Sequence, residues 1–175
     1  MANIRNGGEK NKKFFKEGKA GCLGGEKKIA ASVDSIVASE KASFKDAISK
    51  WGIDEEEAKI IDPVIITGPT TDIKLFKDGK YRGYEYLTFI LGFTEKQVMI
   101  YKKEWNVYDS GTTSHTDEMF YKDVTSITTG ETEGYIRFIL RAGGQDFTSG
   151  IMNKRDMNEA QVQGVKSLVR EKKSQ

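Results

Sequence analysis

Hydrophobic positions along the chain change their period once, near Pro63. From Glu26 to Trp51 the apolar residues Ile29, Val33, Ile36, Val37, Phe44, Ile48 and Trp51 recur mainly in steps of three, four and seven, the pattern of one face of an amphipathic helix. Gly52 stands where a helix C-terminus is expected. Asp54 and Glu57 then form a capping-box pair that predicts a second, short helix, with Glu55 and Glu56 favoured by the positive end of its dipole. Asp62-Pro63 ends it, because a residue before proline is pushed out of helical space.

Beyond Pro63 the pattern alternates. Short strands are predicted at Val64–Ile66, closed by Gly68-Pro69, and at Ile73–Phe76, followed by the turn Asp78-Gly79. Tyr84–Phe93 places Leu87, Phe89, Leu91 and Phe93 on one face and Tyr84 and Tyr86 on the other. Gln97–Tyr108 reads as a long strand with a bend near Lys102-Lys103-Glu104, and Asp109–Asp117 as a polar loop. Further strands are expected at Glu118–Lys122, Thr125–Thr128, Tyr135–Arg141 and Asp146–Met152. A final helix, capped by Asn153 or Asp156, runs to about Lys172 with Met157, Ala160, Gly164, Val165 and Leu168 turned inward. The order predicts an α+β domain: about seven antiparallel strands in two orthogonal sheets or a partly open barrel, with the last helix plugging one end.

Composition adds flanks to this picture. Only 37% of the 175 residues are hydrophobic and 31% are charged, which suggests a folded part diluted by solvated segments. Residues 1–28 carry eight Lys/Arg against three Asp/Glu, and 154–175 carry six against three, so the body between them is acidic although the net charge is +2. Basic ends on an acidic body argue against nucleic acid as the partner. Residues 1–25 are rich in Gly, Lys and Asn and read as a mobile basic tail, with a polybasic tether as the alternative. The expected organisation is thus a tail at 1–25, a helical extension at 26–61, a sheet domain at 62–172 and a short tail at 173–175. No apolar run is long enough to span a bilayer, and the basic N-terminus lacks the apolar stretch of a signal peptide. A cytoplasmic protein is expected, with residence at the inner face of the membrane as an option. The single cysteine, Cys22, fits a reducing compartment.

Two segments carry a family resemblance. Phe93-Thr94-Glu95-Lys96-Gln97-Val98-Met99-Ile100-Tyr101 resembles the turn-and-strand element of bacterial pleckstrin-homology-like domains, and Phe120-Tyr121-Lys122-Asp123-Val124-Thr125-Ser126-Ile127 resembles a second strand of that family. The resemblance covers about residues 62–172 and implies a partly open barrel with a C-terminal helix and a non-catalytic role in lipid, peptide or self-association contacts. In the eukaryotic branch, basic residues of the first hairpin hold phosphates. Lys74, Lys77, Lys80 and Arg82 occupy that stretch here, although Lys74 lies closer to Lys80 than the family spacing and Asp72 and Asp78 interrupt the patch.

Catalytic material is sparse. One histidine, His115, and one cysteine supply neither a metal site nor a nucleophile–base pair, and no glycine run has phosphate-loop spacing. No enzyme activity, metal or cofactor is expected. The sequence therefore predicts a binding module with a protein partner or self-association, and anionic lipid headgroups as the alternative. Candidate contact residues are Ile29, Val33, Ile36, Val37, Phe44 and Ile48 on the helix, with Tyr84 and Tyr86 either exposed for a partner or packed beneath that helix.

Overall fold

A computed structural model describes residues 25–58, 60–107, 111–132, 134–156 and 158–174, the side chains of 25–29, 41 and 155 excepted. The proposed basic tail, Cys22, Tyr108 and Met157 lie outside the described residues, as does the side chain of Ile29. Helix α1 (Gly25–Ser39) and helix α2 (Ser43–Trp51) replace the single long helix expected, joined by a 3-10 turn at Glu40–Ala42. Gly52 ends α2 with a left-handed φ of 70°, its N–H donating to the Ile48 carbonyl at 3.0 Å.

The second helix does not form. The Glu57 N–H does donate to Asp54 Oδ1 at 2.7 Å, so the capping contact exists, but it closes one turn only. The reason lies downstream. The Phe93 N–H donates to the Ala58 carbonyl and the Ile60 N–H to the Phe93 carbonyl, which holds this segment against a strand end instead of in a helix.

The first sheet is antiparallel, in the order β1 (Val64–Pro69), β4 (Glu85–Phe93), β5 (Gln97–Asn106), β6 (Thr113–Phe120). A small hairpin, β2 (Lys74–Leu75) and β3 (Tyr81–Arg82), interrupts the path from β1 to β4. In the second sheet β8 (Tyr135–Ala142) pairs β7 (Val124–Thr132) on one side. On its other side it pairs β9 (Gln145–Thr148) and then β10 (Met152–Asn153). Helix α3 (Glu159–Lys172) follows, capped by Asn158, whose Oδ1 accepts from the Gln161 N–H; Asn153 and Asp156 do not cap it. The sheets do not close into one barrel.

Several strand boundaries differ from expectation for physical reasons. Residues 113–117 of the expected loop belong to β6, whose alternation is hidden because an edge strand exposes nearly every side chain. β5 runs in unbroken register past Lys102–Glu104. β1 continues through Gly68-Pro69, which an edge strand tolerates when the missing N–H faces outward. The last strand breaks after Thr148, where the chain turns a corner: Ile151 N–H donates to the Pro69 carbonyl, joining the two sheets.

The main core lies between the sheets and under α3. Leu87, Phe89, Leu91 and Phe93 meet Val98, Ile100, Phe138 and Leu140, and Val162, Val165 and Val169 of α3 close it. Ala160 and Gly164, expected inward, are exposed, while Leu168 is half-buried at the core margin.

The outer face of the first sheet is covered by the N-terminal helices. Phe44, Ala47 and Trp51 of α2 pack on Ile90, Met99 and Tyr101, and Val33 of α1 packs on Phe76, Tyr84, Tyr86 and Trp105. Between these patches runs a polar seam. Lys103 Nζ donates to both Glu40 carboxylate oxygens at 3.0 Å, Thr88 Oγ1 donates to Glu40 Oε2, and Trp105 Nε1 donates to Thr88 Oγ1. The helix breaks at Glu40–Ala42, where Glu40 reaches down to this seam.

Candidate functional site

Arg82 sits on β3 with its side chain 2% exposed. Its Nε and Nη2 donate to Asp34 of α1 at 3.0 and 2.8 Å, and its Nη1 and Nη2 donate to Asp78 at 2.9 and 2.7 Å. The guanidinium also lies 5.0 Å from the Phe76 ring centroid. Planar bidentate geometry suits such a double clamp. Hydrogen bonding from Arg82 lowers the Asp78 carboxyl from 3.8 to about 2, and the two carboxylates raise Arg82 above its already high range despite its burial.

This arrangement places the residues of the expected phosphate site in different surroundings. Arg82 spends its fork on two carboxylates of its own chain, and Lys80 Nζ stands 3.7 Å from Asp34. Lys74 and Lys77 are exposed on the hairpin and do not line the cleft that Lys80 and Arg82 share. The four cations do not converge.

The residues of the expected contact surface lie against the chain's own sheet. Val33, Phe44, Tyr84 and Tyr86 are buried within the chain, and Ile36, Val37 and Ile48 pack against the same clusters. Tyr86 stacks on Trp105 at 4.6 Å, and burial pushes its hydroxyl well above the usual tyrosine range. Of the two roles open to Tyr84 and Tyr86, the structure gives them the one beneath α1.

What the sequence reading missed is the cleft beside this clamp. It encloses about 340 Å³ between α1, β1 and the β3 hairpin, with Val33 and Val37 on one wall and Ile65, Thr67 and Pro69 on the other. A smaller hollow of about 60 Å³ continues it along β1 to the first turn of α3; Ile65, Met152 and Asp156 border both. The turn at Asp78-Gly79 was legible, and the i,i+4 spacing of Asp78 and Arg82 was the signal that could have found their ion pair. Asp34, 48 residues from Arg82, gave no such signal.

The clamp makes a pH prediction. A carboxylate whose pKa is depressed by folding stabilises the fold above its unfolded value and loses that contribution as pH falls toward its folded value. The stability gap between the parent protein and Asp78→Asn is expected to hold steady above about pH 4 and to close as pH falls from 3.8 toward 2, as followed by urea denaturation. A gap that persists unchanged at pH 2 would show that Asp78 acts through shape instead of charge. The effect is modest because the Asp78 side chain is 46% exposed.

Among the described residues no cluster of three or more His, Cys, Asp or Glu is placed to hold a metal, and no helix is long and apolar enough to cross a membrane. His115 lies exposed on β6. No family model matches the chain, and no curated protein matches it.

Proposed function

We propose that this chain is a non-catalytic interaction module of the pleckstrin-homology-like kind, and that its partner is polypeptide rather than lipid. The architecture supports the first part: a four-stranded sheet, a second sheet, then a helix closing the space between them, in that chain order. The observation that carries the second is the orientation of Arg82. The residue best placed to grip a headgroup phosphate is buried and clamped by Asp34 and Asp78, so the hairpin offers lysines without their arginine. Self-association through the N-terminal helices finds less support, because their apolar faces are already packed on the sheet.

The test pairs two measurements on the full chain. Selection from a random dodecapeptide library is expected to converge on a motif, while vesicles containing phosphatidylserine and a phosphoinositide are expected not to co-sediment the protein at 50 mM NaCl, where screening is weak. Vesicle binding with no enriched peptide would overturn the polypeptide reading. A saturable turnover of a small substrate, abolished by a single substitution, would overturn the non-catalytic one.

A further inference from the structure

β6 (Thr113–Phe120) ends the first sheet, and among the described residues no second strand runs along its far side. Thr94 N–H donates to the Gln97 carbonyl at one end of the β4–β5 ladder, and Val107 N–H to the Tyr84 carbonyl at the other. In an antiparallel strand, successive residues direct their N–H and C=O groups to opposite sides. Met99, Tyr101 and Lys103 therefore bond β4, while Val98, Ile100, Lys102 and Glu104 bond Met119, Asp117, His115 and Thr113 of β6. Ser114, Thr116 and Glu118 point their main-chain groups outward, and no described residue bonds them. Helix α2 packs on the face of the sheet and leaves this edge uncovered: every β6 residue but Met119 is exposed.

We infer that β6 pairs antiparallel with β6 of a second copy about a twofold axis at Thr116, joining the two first sheets into one. The inference rests on the interaction-module reading and names the chain itself as a partner polypeptide. A row of outward N–H and C=O groups is matched by another main chain running alongside. That the strand is its own match follows from its side chains. With the axis at Thr116, His115 stands opposite the partner's Asp117 and Ser114 opposite the partner's Glu118, each contact made twice by symmetry. Imidazole and hydroxyl both donate to carboxylates, so each acidic side chain of the strand meets a donor. The neighbouring registers are poorer. An axis at Asp117 sets that carboxylate against its own copy in the closer, non-hydrogen-bonded position, and one at His115 shortens the overlap to Thr113–Asp117. Acidic residues on an edge deter indiscriminate pairing. Here they also select one register.

The test is sedimentation velocity on the full chain across a concentration series, where a dimer is expected to grow with concentration. Thr116→Pro removes an N–H from the outer edge and none from the β5 ladder, and is expected to weaken the dimer by about tenfold or more. His115→Glu, at an exposed position, sets two carboxylates opposite each other twice and is expected to weaken it by about fivefold or more. Cysteine cross-linking keeps the test decisive if the proline variant folds poorly. In a Cys22→Ser background, Thr116→Cys brings the two thiols to facing positions on the axis and is expected to oxidise to a covalent dimer. His115→Cys leaves the two Cα atoms about 8 Å apart, beyond disulfide reach, and is expected to cross-link at least about tenfold more slowly.

Equal cross-linking at positions 115 and 116 would overturn the pairing. So would a dimer that Thr116→Pro, folded as the parent is, leaves as tight as before, since the second copy would then sit elsewhere. If the chain stays monomeric at every concentration while library selection yields a peptide motif, the module reading stands and the β6 assignment falls. If neither a dimer nor a motif is found, both fall.

Discussion

Gly68→Ala is expected to remove about 3 kcal/mol or more of folding stability, a large part of the roughly 5–15 kcal/mol typical of a domain. A Cβ at Gly68 would lie 1.8 Å from the Ile151 carbonyl oxygen and 2.5 Å from its carbon. These are backbone atoms, so no side-chain rotation relieves the overlap. The corner must open, and the bond from Ile151 N–H to the Pro69 carbonyl is the one placed to break. Gly150 is the other half of the contact, its Cβ position lying 2.3 Å from the Gly68 carbonyl oxygen. Urea denaturation checks the expectation. A variant within about 0.5 kcal/mol of the parent would mean that the two sheets do not approach this closely at Gly68.

Trp51→Ala is expected to cost about 3–5 kcal/mol, the usual range for truncating a large buried aromatic. Trp51 is buried in the contact between α2 and the first sheet, where its ring meets Phe44 edge-on at 6.2 Å. Its Nε1 also donates to the Ile100 carbonyl at 3.0 Å. Trp51→Phe keeps most of the apolar area but forfeits that bond, and is expected to cost about 1–2 kcal/mol. The pattern across the molecule matters as much as the size. Ile90 and Met99 of the central strands depend on α2 for cover, so the loss is expected to appear as reduced amide protection in β4 and β5 as well as in the helix. Exchange that accelerates in residues 43–51 alone would make α2 a detachable appendage.

The helical face from Val33 to Trp51 was legible because burial and period coincide there: Val33, Phe44, Ala47 and Trp51 all turn to the sheet. The break inside it was not, since it falls where Glu40 meets Lys103, 63 residues away. The inward and outward sets of β4 were readable from alternation alone, with Phe89 in the main core and Tyr86 beneath α1. The first five residues of β6, 113–117, were misread as loop because the strand, exposed at all positions but Met119, leaves no period to find there. The site was the least legible part. Arg82 looks in sequence like one basic residue among lysines, and only folding brings Asp34 to it and gives its charge back to the chain. The cleft has no sequence signature either, because its walls come from residues scattered from Val33 to Asp156.

The polar seam under the helix break has a consequence for how the two helices find their place. Apolar patches alone are permissive, and a helix sliding by one turn, about 5.4 Å, would still meet hydrophobic side chains on either side. Such a slide would carry the Glu40 carboxylate away from Lys103 and Thr88 and lay it on Ile90 or Tyr86, where it would lose its partners without regaining water. Glu40 thus acts as a locating pin: it adds little to the grip of the cover, but it fixes where the cover stops, and with it the width of the opening beside β1.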